Sequence, residues 1–185
     1  MSLVSPDANN IGRYAESTSI GTQFKNYMNL GLAAISARLT VLRPRYAEVT
    51  VGPASVANNV TATLGTAGTL AFTELADAEG WRDPTTNPSR ITPTTPGRYW
   101  VYIEVEWASN TTGLRVVQIA RNGVVNNRVR DILPSAASDS AGSAQLATEY
   151  TMNGTTDYIT FTVLQNSGAA LNVTARAVVR YLGPA

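Results

Sequence analysis

The chain contains no cysteine and no histidine. The first absence excludes disulfides, thiolate metal sites, iron–sulfur clusters and cysteine nucleophiles. Together the two remove the Ser-His-Asp and Cys-His arrangements, the HExxH zinc motif and almost all zinc sites. Any remaining chemistry would have to run on carboxylates or lysine, and no catalytic, cofactor or metal site is expected. Charge is also scarce: 15% of the 185 residues are charged, and 14 Lys plus Arg against 13 Asp plus Glu leave a net charge of +1. That balance gives no electrostatic reason to bind nucleic acid or an anionic membrane, and neither is expected as a partner. There is no run of about 18 apolar residues of the kind that spans a bilayer. The opening MSLVSPDANNIGRYAES lacks the basic and apolar regions of a secretory signal. The sequence thus predicts a soluble product of the cytoplasm, in which the glycosylation-type sequons at Asn59, Asn110, Asn153 and Asn172 are without meaning.

With 44% hydrophobic residues the chain has enough apolar surface for one folded domain and a small appendage. Residues 1–19 are polar, with Pro6, Asn9, Asn10, Gly12 and a Ser/Thr cluster, and read as an arm. From Ile20 the spacing turns helical, with Phe24, Tyr27, Met28, Ile35, Leu39 and Leu42 recurring until Pro44 stops the pattern. Ser19 is placed to cap that helix, which would be about 34 Å long at about 1.5 Å per residue, and Gly31 weakens it. Two readings stay open for the stripe: packing against its own sheet, or self-association about a symmetry axis.

After Pro44 the helical period gives way to beta-branched residues, Thr, Gly and Asn, so residues 20–43 read as a connector and 44–185 as a separate head. Alternation is cleanest in GRYWVYIEVEW (97–107), where Tyr99, Val101, Ile103, Val105 and Trp107 share the face that should be core. Further strands are predicted at 47–51, 59–64, 69–75, 114–121, 124–130, 158–165 and 171–182. Asn122-Gly123 supplies a type I′ hairpin turn and Asn166-Ser167-Gly168 another turn. About eight short strands without intervening helices predict an all-β sandwich or jelly roll. The proline-rich WRDPTTNPSRITPTTPG (81–97) reads as a connection over the surface, and SAASDSAGSAQ (135–145) as an exposed loop.

Glu104 and Glu106 lie on the other face of 97–107. Two residues apart on a strand, they would be roughly 6.5 to 7 Å from each other, at the low edge of the spacing used by inverting glycosidases. They project in parallel from one strand, however, whereas an acid and a base must flank a scissile bond in different environments. A polar outward face, paired with Arg115 or Arg121, is the simpler expectation. Trp100 and Tyr102 share that face, and two aromatics there imply a second buried layer or contact with another chain. Asp131, Asp139 and Asp157 are oxygen donors in loop or turn context without a calcium-loop pattern, and turn capping is expected of them.

The phrases TPTTPGRYWVYIEVEW, VVQIARNGVV, LATEYTMNGTTDYITFTVLQNSGAALNV and ARAVVRYLG, in that order, resemble the jelly-roll head of tumour necrosis factor and the complement globular heads. The similarity is greatest to the versions found in tailed-phage virion proteins. It covers residues 91–183, with 47–80 supplying the first strands; GTTDYITF departs from the direct Gly-Asp usual before that strand. GTQFKNYMNLGLAAISARLTVLRP is similar to the short helices that precede such heads in phage fibre and minor structural proteins. The resemblance implies a homotrimer on a virion surface, with Trp100, Tyr102 and Tyr158 facing a partner copy and the helix assisting through Phe24, Tyr27, Met28, Ile35 and Leu39. It implies a capsid decoration or head-fibre protein, with Asn9, Asn10, Arg13 and Tyr14 of the arm contacting the major capsid protein or another virion structural protein. The alternative is a tail-tip or minor tail protein whose loops 108–113 and 135–145 recognise a host surface glycan. The short chain, without a long fibre shaft, favours the capsid.

Overall fold

The computed structural model describes residues 25–35, 43–134 and 142–185, and of residues 126–128 the backbone alone. The arm, residues 20–24 and residues 36–42 therefore lie outside the described residues. The chain divides into two units, Met1–Arg43 and Pro44–Ala185. In the first, residues 25–35 form a helix, α1. Leu, Met and Ala favour that conformation, and Gly31 is accommodated inside it at a cost of about 1 kcal/mol. Among the described residues, no helix is long and apolar enough to cross a membrane.

The described residues of the second unit form nine strands: β1 (Tyr46–Val56), β2 (Ala62–Thr63), β3 (Thr73–Asp77), β4 (Gly97–Trp107), β5 (Arg115–Arg121), β6 (Val124–Leu133), β7 (Gly142–Met152), β8 (Ile159–Gln165) and β9 (Leu171–Gly183). They form a five-stranded sheet ordered β3-β1-β9-β4-β7 and a four-stranded sheet ordered β2-β8-β5-β6, with the described pairings antiparallel. This is the expected all-β jelly roll. The predicted core face of β4 is buried throughout: Tyr99, Val101, Ile103 and Val105 are inaccessible and Trp107 is 1% exposed. It meets Val117, Ile119, Phe161 and Val163 of the four-stranded sheet in one cluster. Asn122 and Gly123 both have positive φ, 55° and 74°, as a type I′ turn requires, and they bring Arg121 opposite Val124.

The strand predicted at 59–64 shrinks to Ala62–Thr63 and that at 69–75 shifts to Thr73–Asp77, and three further expectations need correction. Residues 142–145, read as loop, are the start of β7, whose full length pairs with β4 from Gly97–Met152 to Trp107–Gly142. Residues 135–141 lie outside the described set. β1 does not stop at Val51: a register shift between Val51 and Ala54 lets it run to Val56, with Pro53 placed where the ladder is interrupted and no N–H is needed. The proline-rich segment is no mere surface connection either. Trp81 is 1% exposed and Ile91 is inaccessible, and Ile91 bridges both Arg82 and Ile159. The four prolines prevent a regular strand but leave those two side chains free to close the sandwich at the end where the chain enters it.

At that end the first head residues are tied down. Arg45 donates from Nε and Nη2 to Glu79 Oε2 at 2.9 and 2.7 Å, donates to Thr95 Oγ1, and lies over the Tyr181 ring at 5.0 Å. Tyr99 donates its hydroxyl to the Thr95 carbonyl at 2.7 Å, and burial pushes its pKa up to about 12. Because the folded state holds the proton to a higher pH than an ordinary tyrosine near 10 would, the native state binds more protons between pH 10 and 12 and stability falls as pH rises through that window. Tyr150 is shifted the same way by burial. Tyr99→Phe should therefore flatten, without abolishing, the loss of stability between neutral pH and pH 11, measured by urea denaturation. A slope equal to that of the unaltered protein would show that Tyr99 does not supply it.

Candidate functional site

The strand alternation that buries Tyr99 and Val101 turns Trp100, Tyr102, Glu104 and Glu106 onto the outer face of the five-stranded sheet. There Trp100 and Tyr102 are half-buried and stacked, ring centroids 5.3 Å apart and planes 7° from parallel. The register surrounds them: Trp100 lies between Arg180 of β9 and Glu149 of β7, and Tyr102 between Val178 and Ala147. Tyr46 and Glu48 of β1 extend the same two rows beyond β9. Tyr46, Glu48, Trp100, Tyr102, Arg176 and Arg180 line a shallow depression of about 520 Å³.

The charges on this face are partly committed. Arg176 donates from Nε to Glu48 Oε1 at 2.7 Å, and that hydrogen bond raises its pKa further above the usual range. Glu104 accepts from the Tyr102 hydroxyl at 3.3 Å and from Gln145 Nε2 at 3.2 Å. Burial, then the Glu104 charge, raises the Tyr102 pKa. Glu104 and Glu106 have neither of the expected arginines beside them. Arg115 and Arg121 belong to the other sheet, where Arg115 is 2% exposed and donates to the carbonyls of Asn110, Thr112 and Gly113. Arg121 donates to the Thr151 carbonyl. The strands beside Glu104 and Glu106 are β9, which supplies Arg176 and Thr174, and β7, which supplies Gln145 and Ser143.

Tyr158 is not brought to the Trp100–Tyr102 face. It precedes β8 of the four-stranded sheet, and the Arg90 guanidinium covers its ring at 4.0 Å. In α1, Tyr27, Met28 and Ile35 are exposed, and so are Leu30 and Leu32, which the helical spacing did not single out. Phe24, Leu39, Asn9, Asn10, Arg13 and Tyr14 lie outside the described residues. Tyr46 and Val178 were also missed. Tyr46 stands one residue before a predicted strand, and Val178 is one of two adjacent valines in AVVRYL, where alternation does not reveal which faces outward.

Asp157 caps a turn as expected, accepting from Asn122 Nδ2 at 2.6 Å and from Asn153 N at 2.8 Å; the Asn122 bond holds its carboxyl below the usual range. Asp131 lies within β6 instead of a turn, and Asp139 is outside the described residues. Among the described residues there is no group of three or more carboxylates placed to hold a metal. At the end of the sandwich opposite Pro44, loop 108–113 and turn 166–170 carry small and polar residues without an aromatic.

Neither a protein-family model nor a curated protein sequence matches the chain. Solved structures do resemble it. The PRD1 vertex protein P5 is 17% identical with a TM-score of 0.55, the match covering 75% of this chain and 73% of that one. The Eiger TNF from S. frugiperda is 13% identical with a TM-score of 0.51, covering 77% of this chain and 96% of that one. At these identities the likeness bears on the fold alone, which is a tumour-necrosis-factor-like jelly roll.

Proposed function

We propose that the chain is a structural protein of a phage particle, assembled as a homotrimer, anchored by residues 1–19 and displaying the jelly roll outward as a capsid decoration or head fibre. The observation that carries the self-association is the stacked Trp100–Tyr102 pair on a sheet face that, among the described residues of the head, has no further layer over it. Half-exposed stacked aromatics beside Tyr46 and Val178 form the kind of apolar patch that marks a contact surface. The exposed Tyr27, Met28, Leu30, Leu32 and Ile35 of α1 would be covered by the same assembly. The virion assignment is supported by the likeness to the PRD1 vertex protein, carried over as a proposal. In this reading the head has no active site, and Glu104 and Glu106 are surface carboxylates.

Deleting residues 1–19 should abolish binding to particles while leaving a folded trimer, as measured by co-sedimentation with particles and by light scattering. Unchanged particle binding would remove the anchoring role. Electron cryo-microscopy of particles carrying the protein separates the two virion positions: density at threefold sites across the shell supports decoration, and density confined to the tail tip supports a receptor-binding protein.

A further inference from the structure

We infer that Arg180 of one copy pairs with Glu149 of the next across the aromatic patch, so that the two halves of this sheet face are complementary surfaces for the same chain; the inference rests on the self-association proposed above. Arg180 and Glu149 are both exposed and occupy the same cross-strand row, one on each side of Trp100. Their Cα atoms are two strand spacings apart, roughly 10 Å, with the Trp100 strand between them. Of the charges on the face, Arg176 is committed to Glu48, and Glu104 takes hydrogen bonds from Tyr102 and Gln145. Among the described residues Arg180 and Glu149 have no ion-pair partner; nor do Arg98 and Glu106, which sit toward the two ends of β4, farther from the stack.

A ring of identical copies needs two different patches on each subunit, one meeting the other on its neighbour. The β9 side of Trp100 offers a cation and the β7 side an anion, so placing the β7 side of one copy on the β9 side of the next satisfies both charges in every contact and seats each Trp100–Tyr102 stack under cover. An exposed ion pair contributes little, whereas one desolvated against aromatic rings fixes register and disfavours wrong pairings.

The test uses the full chain with the variants Arg180→Glu, Glu149→Arg, the double exchange Arg180→Glu/Glu149→Arg, and Trp100→Ser/Tyr102→Ser. Folding is checked by circular dichroism and assembly by sedimentation equilibrium over a range of concentrations, in moderate urea so that dissociation is visible. Each single reversal sets like charges together and should weaken association by at least about tenfold. The double exchange should recover most of that loss, and the aromatic double variant should dissociate. If the single reversals assemble as the unaltered protein does, or the exchange is no better than the singles, the ion pair is wrong. Dissociation of the aromatic variant in that case leaves the self-association reading standing. A monomeric unaltered protein overturns both.

Discussion

Trp81→Ala is expected to destabilise the head by about 3–5 kcal/mol, the range for removing a large buried aromatic. Trp81 is 1% exposed although it sits in a segment with four prolines, and it is fixed from several directions. Asp77 accepts from the backbone N–H groups of Trp81 and Arg82 at 2.9 and 2.7 Å, and Thr92 N donates to the Trp81 carbonyl at 2.7 Å. The indole meets Tyr99 edge-on at 5.3 Å, and Tyr99 meets Tyr181 at 5.2 Å, the ring that Arg45 covers. Removing it would leave a void between the segment and the Tyr99 ring, because a ladder of backbone bonds holds the surrounding strands apart. Trp81→Phe should cost much less: the indole Nε1 is buried without a partner among the described residues, so the smaller ring forfeits packing but no hydrogen bond. Leu75→Ala, at a residue 56% exposed on β3, should stay within about 0.5 kcal/mol. Urea denaturation of the three variants decides the matter. Equal effects for Trp81→Ala and Leu75→Ala would mean that the segment lies loosely on the sandwich.

The contrast between β4 and this segment shows what could be read from the sequence and what could not. From Tyr99 to Trp107 every second residue is large and apolar, period and burial coincide, and the strand ends match the prediction at both termini. In 81–96 the local signal was read correctly, since proline does exclude a regular strand, but burial of Trp81 and Ile91 depends on which surface the segment is folded against. β7 was overlooked for a different reason. Its inward residues Ala144, Leu146, Thr148, Tyr150 and Met152 alternate, but the strand opens with Gly, Ser and Ala, whose small size imitates a loop. The candidate site was half legible. Period two sufficed to put Trp100 and Tyr102 together on an outer face; the cross-strand neighbours Arg180, Glu149 and Val178 required the register, which no single strand contains. For the same reason arginines from the wrong sheet were assigned to Glu104 and Glu106.

Gly113→Ala should be nearly as damaging as loss of Trp81, by about 2–5 kcal/mol, although it adds a single methyl group to a loop. Gly113 has φ of 75°, where a Cβ costs about 1–2 kcal/mol. That Cβ would run into the Asn166 backbone, 2.6 Å from the carbonyl carbon, so no side-chain rotation relieves the overlap, which adds about 1–3 kcal/mol. The loop cannot retreat. Arg115, 2% exposed, grips its carbonyls at Asn110, Thr112 and Gly113 from beneath, and Asn166 holds Leu114 from the other side, with Asn166 N donating to the Leu114 carbonyl at 3.1 Å and Leu114 N donating to Asn166 Oδ1. Gly168→Ala separates the two contributions: its φ is 91°, but no atom lies within 4 Å of the added methyl, so about 1–2 kcal/mol from backbone strain is expected alone. Denaturation midpoints for both variants test this, and a Gly113→Ala loss no larger than that of Gly168→Ala would mean that the loop yields. If the difference is found, the end of the head farthest from Pro44 is a rigid surface, and any partner it meets must fit loops 108–113 and 166–170 as they stand.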